Sequence, residues 1–275
     1  MRTRVKGATV LVSLVMWWSC LPACSTTSSS TTGPSGPTLP SSTNACGAIG
    51  GSAVSALAIL NGTTCNAATA AVVIVSLRDS QNVQIGSCSG TIIAPRAVLT
   101  AAHCLAGTPA VSVSLGNGDL VKATSFQASP AYNGSSDASS IDVGVVLVGQ
   151  DLAPPPIPVL TSRDAKVGEQ AVIAGWGQTE TDGRGLLKAG TTTITTVGAI
   201  TLQATYSPST GGSGTCFGDS GGPILLSEGG TWSVAGVTSA FSGNSCTTGT
   251  NFFTSVRNAD ASSFILSLVP NASRK

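Results

Sequence analysis

The 275-residue sequence predicts an all-β fold, and three observations carry that prediction. Ser, Thr, Gly and Val are abundant while Glu and Lys are scarce, a composition that favours strands and turns over helices. Residues 187–205 alternate Thr with Val, Ile and Leu, and short runs rich in apolar residues at 68–77, 222–226 and 233–239 read as strands. The sequence holds no heptads, internal repeats or blocks of like charge. A net charge of +1 with 9% charged residues gives no basis for a nucleic-acid partner or a polybasic membrane patch. Such a length, less any targeting segment, makes one or two domains with a sizeable core.

The chain opens on Arg2, Arg4 and Lys6, followed by an apolar run over residues 8–18. That run is too short and too sharply ended for a membrane span, so residues 1–23 read as a secretory signal. It closes on Leu21-Pro22-Ala23-Cys24, which is similar to the lipobox of bacterial lipoproteins, with the proline as a departure. That resemblance implies lipidation of Cys24, the chain's one route to a membrane, and Ser25 after it implies the outer membrane. Ordinary cleavage near Ala23, releasing a soluble protein, stays open beside it. Residues 25–44 are almost entirely Ser, Thr, Pro and Gly with no periodic apolar face. Such a stretch cannot offset its ordering entropy and reads as a disordered tether.

The eight cysteines are Cys20, Cys24, Cys46, Cys65, Cys88, Cys104, Cys216 and Cys246. None forms a C-x-x-C pair, and with one histidine in the chain a mixed Cys/His metal site is unpromising; no metal and no cofactor are expected. Spread widely in a poorly charged chain, they read as disulfides formed in an oxidising compartment.

Residues 68–77 end in Ile74-Val75-Ser76-Leu77, the first clear strand. Next comes Gly86-Ser87-Cys88-Ser89-Gly90-Thr91-Ile92-Ile93, leading to Val98-Leu99-Thr100-Ala101-Ala102-His103-Cys104. A lone histidine is more often structural than catalytic, but His103 is the only one, set between small apolar residues and a cysteine. In Ser139-Ser140-Ile141-Asp142-Val143-Gly144-Val145-Val146-Leu147, Asp142 is the one charge entering an apolar run. Buried there, it needs a hydrogen-bonded partner, and the Nδ1–H of a histidine would supply one. The bland alternative is a strand-edge aspartate capping a turn. Pro154-Pro155-Pro156 cannot sit inside a sheet and marks the passage between two halves. Residues 187–205 alternate Thr with Val, Ile and Leu as a run of strands. Residues 222–226 and 233–239 read as a hairpin, and residues 258–269 as a closing helix.

Between these lies Thr215-Cys216-Phe217-Gly218-Asp219-Ser220-Gly221-Gly222-Pro223, a serine in a glycine-rich turn. Gly-x-Ser-x-Gly alone fits the nucleophile elbow of an α/β-hydrolase. That fold needs its histidine after the serine, and no histidine follows Ser220. The order His103, Asp142, Ser220 is that of the chymotrypsin group.

The Ser-Gly-x-x-Ile…Leu-Thr-Ala-Ala-His-Cys pattern, Asp-Val-Gly-Val-Val, Ala174-Gly175-Trp176-Gly177 and Gly218-Asp219-Ser220-Gly221-Gly222-Pro223 together resemble the chymotrypsin-like serine proteases. The resemblance implies two antiparallel six-stranded Greek-key β-barrels with a C-terminal helix and the active site at their seam. It implies His103, Asp142 and Ser220 as a catalytic triad and the N–H groups of Gly218 and Ser220 as the oxyanion hole. It places the mature start at Ile59, in Ile59-Leu60-Asn61-Gly62, whose freed amine would pair with Asp219; Ile49-Gly50-Gly51 is the competing start. Residues 24–58 are then linker and propeptide, and residues 59–275 the protease domain. Ala58 ahead of Ile59 is not the usual Lys or Arg, so activation falls to an elastase-like protease or to the chain itself.

The same resemblance makes Gly214, Thr215, Ser239, Phe241 and Asn251 the specificity pocket. A carboxylate selecting Lys or Arg is missing at Gly214, and Phe241 and Asn251 stand where the family usually has glycines. Cleavage after small or medium apolar residues follows. Disulfides are implied for Cys88–Cys104 and Cys216–Cys246, and by elimination for Cys46–Cys65. The implied protein is a monomeric endopeptidase, secreted or held at the cell surface, acting on proteins or peptides. The alternative is a catalytically silent homologue used as a binding module.

Overall fold

A computed structural model describes residues 42–55, 60–135, 139–179, 185–243 and 245–275. The signal, Cys20, Cys24, most of the expected tether and Ile59 lie outside the described residues.

Six strands close the first barrel: β3 (Val72–Arg78), β4 (Gln84–Ala94), β5 (Ala97–Thr100), β6 (Ala110–Ser114), β7 (Leu120–Ala128) and β8 (Gly144–Val148). They are ordered β3-β4-β5-β8-β7-β6, and every pairing is antiparallel. A short helix, α2 (Ala102–Leu105), follows β5 directly. The second sheet holds β9 (Gln170–Gly175), β10 (Lys188–Thr193), β11 (Thr196–Val197), β12 (Thr201–Tyr206), β13 (Pro223–Glu228), β14 (Thr231–Phe241) and β15 (Gly249–Ser255). Its order is β10-β9-β13-β14-β15-β12-β11, and β11 continues the chain of β10 after a two-residue break. A single bent ribbon, β10–β11, therefore pairs β9 at one end and β12 at the other, giving six ribbons around a second barrel. Alternate residues fill its interior: Ala171 and Ile173, Leu202 and Ala204, Ile224 and Leu226, with Phe253. That period of two is strand geometry.

The chain closes with α3 (Ala259–Leu268). Asn258 caps it by accepting from the N–H groups of Asp260 and Ala261, and Ala261, Phe264 and Ile265 form its buried face. Among the described residues, no helix is long and apolar enough to cross a membrane.

The folded body begins well before residue 59. Helix α1 (Ser42–Ala48), β1 (Ala53–Ser55) and β2 (Thr63–Cys65) extend the second sheet along the free edge of β10. Ala45, Cys46 and Ile49 are fully buried, and the Ile49 carbonyl accepts from Ala71 N–H at 2.9 Å. The last three residues of the expected tether, 42–44, open α1, because composition does not separate a linker from the polar first turn of a helix. Ile49, in the competing start, is packed as part of the core. Disulfides join Cys46 to Cys65, Cys88 to Cys104 and Cys216 to Cys246.

Candidate active site

His103 stands on α2, at the mouth of the first barrel, where the Cys88–Cys104 bridge ties the helix to β4. Asp142 lies two residues before β8 and is completely buried. The two meet twice: Asp142 Oδ1 accepts from His103 N–H at 2.9 Å, and Oδ2 lies 2.7 Å from His103 Nδ1. An ionised carboxylate can only accept, so the ring proton sits on Nδ1 and Nε2 is left as a base. A third donor, the hydroxyl of Ser239, reaches Asp142 Oδ2 at 2.6 Å. Three donors compensate the burial of this charge.

The sequence reading put Ser239 in a pocket wall, and its hydroxyl turns instead to Asp142. The cause is a β-bulge: β14 pairs Thr238 with Phe253 and Ala240 with Phe252, leaving Ser239 as the extra residue. Bulges re-aim side chains in this way, and no glycine marks this one in the sequence.

Ser220 sits on the loop between β12 and β13 and is gripped from both barrels. Its carbonyl accepts from Ser89 N–H on β4 at 2.8 Å, while Gly221 N–H donates to the Thr238 carbonyl on β14 at 2.8 Å. At Gly221 a side chain would collide with Thr100 Oγ1 at 2.1 Å, so the loop is pressed against the residues leading into α2. This seats Ser220 between the entry to the histidine helix and the strand that reaches Asp142. Gly218 has φ of +96°, a conformation that glycine adopts freely. Among the described residues, the N–H groups of Gly218 and Ser220 donate to no backbone or side-chain acceptor.

Asp219, beside the serine, points inward and is 1% exposed. Its Oδ1 accepts from Gly177 N–H and its Oδ2 from Cys216 N–H, both at 2.8 Å. Burial pushes its carboxyl up to about 6, while those two N–H groups and the charge of Lys188 on β10 pull it back. Leu60 is buried and bridged to Gly214, accepting its N–H at 3.2 Å, and the Asn61 carbonyl accepts from Ser213 Oγ. Leu60 is thus docked against the loop that runs on to Asp219. The buried Lys188 had no sequence signal, since nothing local marks which face of a strand carries it.

Of the other expected pocket residues, Thr215 and Phe241 both meet Asn251, Phe241 as its partner across β14 and β15. Asn251 Oδ1 accepts from Thr215 N–H at 3.0 Å and from Thr215 Oγ1 at 2.6 Å, and Asn251 Nδ2 donates to the Ala204 carbonyl. The ring of Tyr206 packs against Gly214, where an added Cβ would meet it at 2.6 Å. Phe241 meets Phe217 edge to face, with centroids 5.2 Å apart. Tyr206 was not foreseen, because its strand alternation reads as ordinary core. The one cluster of metal-type ligands among the described residues is Cys88, His103 and Cys104, and both sulfurs are already spent in a disulfide.

A family model described as Trypsin matches residues 59–262. Trypsin of Saccharopolyspora erythraea is 29% identical over 174 residues, covering 55% of this chain and 74% of that protein. Brachyurin of Leptuca pugilator is 30% identical over 166 residues, covering 50% and 70%. Chymotrypsin-like elastase family member 1 of Homo sapiens is 30% identical over 186 residues, covering 58% and 72%. Among solved structures, HL collagenase superposes with a TM-score of 0.65 at 23% identity, covering 77% of this chain and 99% of that one.

Proposed function

Since the chain belongs to the trypsin family of serine proteases, we propose that it is an endopeptidase working through His103, Asp142 and Ser220. Ser220 Oγ attacks a peptide carbonyl as His103 Nε2 takes its proton, and the imidazolium later protonates the leaving amine. Water then hydrolyses the acyl-enzyme by the reverse use of the same base. The negative oxygen of each tetrahedral intermediate is received by the N–H groups of Gly218 and Ser220. The observation that carries this reading is the twofold bond of Asp142 to His103, which fixes the tautomer the chemistry requires. Ser220→Ala should lower kcat by roughly a millionfold, and a fluorophosphonate should label the parent and not the variant. Peptidase activity surviving in Ser220→Ala would sink the proposal. A folded parent that is neither labelled nor active would be a silent homologue acting as a binding module.

The pocket favours small or medium apolar side chains at the cleaved bond. Gly214 brings no carboxylate and has the Tyr206 ring against it, Asn251 and Thr215 are bonded to each other, and Phe241 adds a large ring where a glycine would leave room. Activation is cleavage between Ala58 and Ile59, by a protease of similar preference or by the chain itself. The docked Leu60 and the buried Asp219, whose charge burial disfavours, support it. The Cys46–Cys65 bridge spans that cut and keeps the upstream segment attached. Three disulfides fit an exported protein, and residues 1–23 would direct it there, with Cys24 as the lipid anchor if that cysteine is acylated.

A further inference from the structure

Ser89 is fully buried on β4, and its N–H and hydroxyl are committed to the second barrel across the seam. Its N–H donates to the Ser220 carbonyl and its own carbonyl accepts from Thr100 Oγ1, both at 2.8 Å. Its hydroxyl accepts from Trp176 N–H at 2.9 Å and donates to the Gly218 carbonyl at 2.9 Å. Because Trp176 N–H can only donate, the hydroxyl proton has one direction left, toward Gly218.

That direction matters because Gly218 is the soft joint of the nucleophile loop. The peptide before it is held by Gln178 N–H, which donates to the Phe217 carbonyl at 2.8 Å, so the Gly218 N–H on the opposite side of that peptide points away from Gln178. The peptide after it is held at one end by Asp219 N–H donating to the Cys216 carbonyl, and at the other by Ser89. Ser89 supplies the side-chain contact on this joint, and it comes from the opposite barrel. We infer that Ser89 is a positioning residue for the oxyanion site, its hydroxyl fixing the Gly218 carbonyl and thereby the aim of the Gly218 amide. This rests on the oxyanion role given to Gly218 above.

Removing the hydroxyl leaves the Gly218 carbonyl and Trp176 N–H without their partner and frees rotation at Gly218. Ser89→Ala should lower kcat by about tenfold to a hundredfold, short of the roughly 100- to 1,000-fold that follows loss of a donor. KM should stay within about twofold, because the ground-state carbonyl uses the site little. Affinity for a peptide boronate, whose adduct is tetrahedral, should fall by the same factor as kcat/KM, with the pH midpoint unchanged. Rates are taken per Ser220 titrated to its labelling endpoint, so that unfolded material drops out.

Two further variants separate positioning from stability. Thr100→Val removes an equally buried bond to Ser89 without touching Gly218, and should lower Tm while keeping kcat. Ser89→Thr keeps the hydroxyl but crowds the neighbouring Gly222, and should lose stability while holding kcat per site within about threefold. Equal kcat losses in Thr100→Val and Ser89→Ala, or in Ser89→Thr and Ser89→Ala, would reduce Ser89 to a structural residue. Unchanged kcat and boronate affinity in Ser89→Ala would overturn the inference while leaving the triad intact. An active Ser220→Ala would instead overturn the catalytic reading on which it stands.

Discussion

Acidifying the uncleaved chain should stabilise it, and the reason is Asp219. Its carboxyl is raised from the ordinary 3.8 to about 6, chiefly because burial disfavours the charged form. The folded state therefore binds a proton that the unfolded chain releases between those two values, and stability falls as pH rises through that window. A shift of about two units corresponds to about 3 kcal/mol withheld at neutral pH. Between about pH 7.5 and about pH 5 the recoverable part is between about 1 and 2 kcal/mol, or roughly 3–6 °C in Tm for a domain of this size. Thermal melts of Ser220→Ala, which cannot process itself, measure this against Ser220→Ala/Asp219→Asn, where the group no longer titrates. The difference between the two pH slopes isolates Asp219 from every other group. Cleavage before Ile59 should abolish the gain, because pairing with the new amine holds the carboxyl below its ordinary range. In the cleaved form stability should instead fall at alkaline pH, as the raised pKa of that amine is passed. Equal slopes in the two uncleaved variants would refute the reasoning, as would an acid gain that survives cleavage.

Three further outcomes are expected. Asp142→Asn should lower kcat about ten-thousandfold with KM little changed, because the wrong tautomer of His103 is then favoured; steady-state kinetics check this. Asn251→Gly combined with Phe241→Gly should shift a peptide-library profile from small apolar residues toward Phe and Tyr, and an unaltered profile would reject these walls. Replacing Cys46 and Cys65 together by alanine should cost about 3 kcal/mol by denaturant unfolding. It should also release the upstream segment after cleavage, whereas the parent should stay joined on non-reducing gels.

What could be read from the sequence was whatever the backbone demands locally. The glycines around Ser220, the proline break at 154–156 and the Asn258 cap each answer a conformational need that few residues meet, so they announce themselves. The alternation over 187–205 is a strand period, and Leu202 and Ala204 from it do face the core, whereas the unbroken apolar runs at 171–174 and 224–226 did not show which residues would. Contributions that depend on pairing register were hidden. Ser239 reaches Asp142 because a bulge in β14 displaces it, and register is a property of two strands. Lys188, 1% exposed on β10, gives no sign of burial in its own stretch of sequence. Helix α1 is too short to declare itself by periodicity and stands through the Cys46–Cys65 bridge and its packing on β10.

The same distinction says what activation has left to do. In the uncleaved chain Asp219 already faces inward on two backbone N–H groups, Leu60 is already bridged to Gly214, and the Phe217–Gly218 peptide is already held by Gln178. These contacts are made by backbone groups and by the Asp219 carboxylate itself. A cut before Ile59 would add an ammonium group, and among these groups the buried Asp219 carboxyl, pushed up to about 6 by burial, is the one that would gain from it. If the proposed cut before Ile59 activates the chain, it would act as a change of charge beside an Asp219 that already faces inward on two backbone N–H groups. Its signature lies in the pH dependence of stability, and the sign of that dependence should invert on cleavage.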